Sequence, residues 1–99
     1  MNFGDALGAL RRGEPVARSG WNGKGMFLYL VDAGNYPARS GVAKGVWGEE
    51  ALVPYTPYIA IKSVDGTVTP WVASQTDLLT DDWDALVLSE LSRGVSTNG

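Results

Sequence analysis

Four aspartates lie close together in sequence, Asp77, Asp81, Asp82 and Asp84, and chemistry in this chain has few other places to start. Paired carboxylates can act as acid and base or hold a divalent cation. The spacing here matches no calcium loop, however. The plainer reading is a helix cap followed by a solvated acidic turn. The 99 residues contain no histidine and no cysteine. That removes His-based proton transfer, thiol nucleophiles, zinc sites and disulfides. Any nucleophile would have to be Ser or Thr working with Lys or a carboxylate. No catalytic residue, metal site or cofactor is expected.

Binding is better provided for. Arg18-Ser19-Gly20-Trp21-Asn22-Gly23-Lys24-Gly25 places a large aromatic between glycines, beside an Asn-Gly pair and two cations. Pro70-Trp71-Val72-Ala73-Ser74-Gln75-Thr76-Asp77 places a second tryptophan beside hydroxyl, amide and carboxylate groups. Such aromatics can stack bases, the polar neighbours can reach a ribose, and Arg18 and Lys24 suit phosphate. Core packing or an oligomer contact accounts for Trp21 and Trp71 equally well. Trp83, between Leu79 and Leu86, reads as core, and the sequence does not decide for Trp47. The glycines from Gly20 to Gly25 do not open a helix, so they form no P-loop or dinucleotide fingerprint.

The elements that must position these residues follow from periodicity. Phe3, Ala6, Leu7 and Leu10 fall at i, i+3, i+4 and i+7, which predicts a helix capped by Asn2 and stopped at Gly13. Val16–Ser19 and Met26–Val31 predict a hairpin with the Trp-Asn-Gly-Lys-Gly loop at its tip. Tyr58–Val64 and Thr67–Val72 predict a second hairpin around Asp65-Gly66, with Pro70 confining its second strand to an edge or a bulge. Ser74-x-x-Asp77 predicts a helical turn over 75–79. Trp83–Leu88 reads as a last strand, with a helix capped at Thr80 as the rival. Residues 32–57, rich in Gly and Pro, read as a long irregular segment, with a short strand within 40–47. The fold class expected is α+β: a small antiparallel β-rich domain with one N-terminal helix, spanning residues 1–91, followed by a flexible polar tail at 92–99.

Composition sets limits. Eleven acidic residues against eight basic give a net charge of −3, which argues against a partner as large as a nucleic-acid polymer. The first residues lack a signal-peptide pattern and no apolar run reaches membrane-spanning length, so a soluble intracellular protein without a membrane partner is expected. A chain this short, with a long loop, gains from oligomerisation.

The blocks Met1-Asn2-Phe3-Gly4-Asp5-Ala6-Leu7, Val16 to Leu28, Asp65-Gly66-Thr67, Pro70 to Leu79 and Asp82-Trp83 resemble a family of small phage and prophage proteins. These were long filed as a domain of unknown function and are now known as Thoeris anti-defence proteins of the second type. The likeness runs from residue 1 to about 88 and departs in the loop 32–57 and in the tail. It implies a sponge, which binds a cyclic ADP-ribose-type immune signal (glycocyclic ADP-ribose) without cleaving it. Some members also take CBASS cyclic oligonucleotides. It implies a small β-rich homotetramer with pockets between protomers, acting in the cytoplasm of the infected host. The ligand-binding residues expected are Arg18, Trp21, Asn22, Lys24, Trp71, Ser74, Gln75, Thr76 and Asp77. A metal-dependent hydrolase using the acidic cluster, or a structural phage protein, are the alternatives.

Overall fold

Phe3, Leu7 and Leu10 pack one face of helix α1 (Phe3–Arg11) onto an antiparallel sheet in a computed structural model that describes residues 1–21, 25–89 and 91. Asn2 caps the helix by accepting the Asp5 N–H at 2.8 Å. Gly13, at φ +85°, ends it with an N–H donated to Leu10 O. Both ends therefore follow the expectation.

The sheet has five strands in the order β6-β5-β2-β1-β7: β1 (Val16–Arg18), β2 (Phe27–Val31), β5 (Tyr58–Lys62), β6 (Val68–Pro70) and β7 (Trp83–Ala85). Both expected hairpins are present, as β1–β2 and β5–β6. Val16 pairs with Leu28, and Leu28 with Ile61, so these side chains share the face under α1. Ala6, Ala9, Leu10, Val16, Leu28 and Trp83 form the fully buried core. Trp83 is its largest member, as expected for that residue. Pro70 sits on the edge strand, where its missing N–H leaves no ladder bond unmade. In the β5–β6 turn, Gly66 takes φ +91° and Asp65 accepts from the Thr67 N–H and hydroxyl.

Two expectations are corrected. The last strand stops at Ala85 instead of reaching Leu88. Leu86 N–H donates to Pro15 O at 2.8 Å, and Pro15 has no N–H with which to continue the ladder. The segment 32–57 is largely regular, and 41–47 is helical where a short strand was expected. Strands β3 (Gly34–Pro37) and β4 (Leu52–Tyr55) pair antiparallel into a second, two-stranded sheet. Helix α2 (Gly41–Trp47) lies between them, capped by Ser40, whose hydroxyl accepts the Ala43 N–H. Helix α3 (Gln75–Leu79) is the expected helical turn, and Leu88, Ser89 and Leu91 are helical too, where the last strand was expected to end. The loop tip at 22–24 and the tail at 92–99 lie outside the described residues.

Candidate functional site

Arg18 closes β1 and pairs with Trp83 of the edge strand β7. The capping box explains α3. Ser74 accepts the Asp77 N–H at 3.0 Å, and Asp77 returns the bond to the Ser74 N–H at 3.2 Å. This reciprocal pairing fixes the Asp77 carboxylate against the sheet end.

Arg18 then gathers the acidic residues. Its Nη1 donates to Asp77 Oδ1 at 2.8 Å and its Nε to Asp82 Oδ1 at 2.9 Å. Asp82 also accepts the Gly20 N–H at 2.8 Å and the Thr80 hydroxyl at 2.9 Å. The Arg18 and Asp77 side chains are only 14% and 13% exposed, so their attraction is weakly screened. Asp82, expected to lie in a solvated turn, is instead the second acceptor of the network. Hydrogen bonding from Arg18 leads in holding its carboxyl down at about 2. For Asp77, burial alone would raise the pKa. Hydrogen bonds from Arg18, Ser74 and Trp21 outweigh that and keep it below the usual carboxylate range. The two carboxylates in turn raise the Arg18 pKa, Asp82 contributing most.

The tryptophans complete the cluster. Trp21 Nε1 donates to Asp77 Oδ1 at 3.3 Å, and Trp83 Nε1 to Asp77 O at 2.8 Å. Trp21 and Trp71 both meet Trp83 edge-on, at centroid distances of 5.3 and 6.0 Å, and Phe3 fills in against Trp71 and Trp83. Both outer rings stay partly exposed. The two blocks therefore meet within one chain, through Asp77 and Trp83.

Other candidates are less closely joined. Arg18 and Trp21 line a concavity of about 370 Å³ with Met26, Phe27 and Leu86. Gln75 and Thr76 line a separate, shallow one of about 470 Å³ with Leu79 and Thr80. Asn22 and Lys24 lie outside the described residues. Sequence reasoning missed a third concavity, of about 440 Å³, lined by Tyr36, Tyr55 and Tyr58 together with Arg39. Its rings come from β3, β4 and β5; Tyr55 and Tyr58 are close in sequence, and the β3–β4 pairing brings Tyr36 to them. Among the described residues, no three Asp, Glu, His or Cys side chains gather closely enough to hold a metal ion. Likewise, no described helix is long and apolar enough to cross a membrane.

Fold and site together define a class: a small α+β domain whose antiparallel sheet is backed by one helix and closed at one end by a Trp–Asp–Arg network. Residues 1–86 match the Thoeris anti-defense 2-like domain. A protein named Thoeris anti-defense 2, from Bacillus phage SP01, is 43% identical over 84 residues, which cover 85% of this chain and 92% of that protein. The chain belongs to the Thoeris anti-defense 2-like family.

Proposed function

We propose that this protein is a phage anti-defence sponge acting in the cytoplasm of the infected host. It binds a cyclic ADP-ribose-type immune signal and holds it uncleaved, so that the Thoeris effector is not activated. CBASS cyclic oligonucleotides are a further ligand class. Family membership over residues 1–86 supports the anti-defence role.

One observation favours holding over cleaving. Asp77 and Asp82, which a hydrolase reading would use as catalysts, are both bound to Arg18. A general acid needs a raised pKa near the working pH, whereas both of these are lowered.

In this reading the partly exposed rings of Trp21 and Trp71 stack against base, and Asn22, Ser74, Gln75, Thr76 and Asp77 bond to ribose or base. Arg18 serves mainly by fixing Asp77 and Trp21, since its Nε and Nη1 already donate inside the protein. Lys24 is left as the phosphate cation of the loop. A homo-oligomer, as a tetramer, would bring these shallow concavities of neighbouring protomers together. Two surfaces suit such assembly: the sheet face opposite α1, bearing Phe27, Tyr29 and Val31, and the exposed Val42, Val46 and Trp47 of α2.

Thermal unfolding with a panel of cyclic nucleotides tests the reading. A hundredfold excess over Kd adds about 2.7 kcal/mol of apparent stability. A rise in Tm with the cyclic ADP-ribose-type signal supports it, and an unchanged Tm across the panel overturns it.

A further inference from the structure

The loop between β1 and β2 has two feet. The first is held by the Trp–Asp–Arg network: Ser19 N–H donates to Asp82 O at 3.0 Å, Gly20 N–H to Asp82 Oδ2 at 2.8 Å, and Trp21 Nε1 to Asp77 Oδ1 at 3.3 Å. The second foot is Gly25, two positions before β2 begins at Phe27. Gly25 takes φ +81°, which glycine adopts without strain. Its carbonyl accepts from Lys62 Nζ at 3.0 Å. Lys62 reaches it from the neighbouring strand β5. It stands opposite Phe27 in the β2–β5 register, so the two side chains share one face of the sheet. Its ammonium lies over the Phe27 ring, 5.8 Å from the ring centre, and from there meets the Gly25 carbonyl. Among the described residues Lys62 makes no ion pair.

We propose that Lys62 is a positioning residue for signal binding: it ties the outgoing end of the β1–β2 loop to β5 and so sets where Asn22 and Lys24 meet the ligand. The inference rests on the sponge reading, in which those two residues contact the signal. A hydrogen bond from an ammonium is stronger than one between neutral groups. A loop fixed at both feet before binding loses less freedom when the ligand arrives. Without the Lys62 donor the second foot is released. Only a fraction of the molecules then presents the loop in its binding form, and the apparent affinity falls by that fraction. Lys62 acts through the loop and needs no contact with the signal.

Three variants of the full chain test this. Lys62→Met keeps the stem and removes the donor, Lys62→Arg supplies a donor again, and Lys44→Met removes the same charge from α2, away from the loop. Amide hydrogen exchange of residues 22–26 is read by mass spectrometry without ligand, and Kd is measured for glycocyclic ADP-ribose. Lys62→Met speeds the exchange and raises Kd, each by roughly five- to tenfold. Lys62→Arg restores most of both, and Lys44→Met changes neither. Unchanged exchange in Lys62→Met overturns the anchor. Faster exchange with an unchanged Kd overturns the positioning role, as does an equal loss in Lys44→Met or no recovery in Lys62→Arg. A wild-type protein that binds no signal overturns the sponge reading instead, and the exchange result then decides whether Lys62 anchors the loop.

Discussion

Arg18 and Asp77, 59 positions apart, are joined by a 2.8 Å hydrogen-bonded ion pair that ties the first tryptophan block to the second. Asp77 has three duties at once: it completes the α3 cap, accepts from Trp21 and pairs with Arg18. Asp77→Ala removes all three and leaves the guanidinium with Asp82 alone. Loss of a cap and of a largely buried ion-pair partner together cost about 3 kcal/mol. For a chain of this size that lowers Tm by roughly 10–20 °C, which thermal unfolding followed by circular dichroism checks. A change of only a degree or two would contradict the account of the network.

The same pairing fixes the response to acid. Asp77 and Asp82 have folded pKa values below those of the unfolded chain. Their contribution is therefore complete above the ordinary carboxylate pKa near 4, and it is lost as pH falls through the folded values, about 2 for Asp82. Tm should fall between about pH 4 and pH 2, and Asp82→Asn should flatten that slope. A wild-type Tm that stays level across this window would contradict the assignment.

Gly20 is required by a close approach. A Cβ there would lie 2.6 Å from Asp82 Oδ2 and 3.2 Å from Arg18 Nη2. Gly20→Ala must push Asp82 off the Gly20 N–H and disturb its bond to Arg18. The variant is expected to unfold at a lower temperature and to lose most of its acid dependence between pH 4 and 2, as Asp82→Asn does.

The tryptophans should separate by role. Trp83→Ala empties the centre of the core and costs about 3–5 kcal/mol, enough to unfold much of the protein. Trp71→Ala truncates a partly exposed ring, costs roughly half as much, and should abolish the proposed signal binding while the mass in solution stays that of the unaltered protein. Mass measurement by light scattering beside calorimetry checks both halves. A dissociated Trp71→Ala protein would favour a role in assembly.

What was legible in the sequence was local. The Phe3–Leu10 face, the Asp65-Gly66 turn and the Ser74–Asp77 box each carry their signal within a few residues, and each formed as read. Helix α2 was hidden because Gly41 and Gly45 weaken its propensity and none of its residues is buried. Strands β3 and β4 contain Pro37 and Pro54 and pair across that helix, so neither shows a clean alternation. In the site, the aromatic and polar blocks were visible one at a time. Their union through Arg18, Asp77 and Asp82 was not, because a contact over some 60 residues leaves no trace in spacing.

The most direct measurement is capture and release. The protein is incubated with the cyclic ADP-ribose-type signal, freed of unbound ligand by filtration, and heat-denatured, and the released molecule is identified by mass spectrometry. A sponge returns the signal intact and in proportion to the protein. A hydrolysed product, or no retained ligand at all, would contradict it.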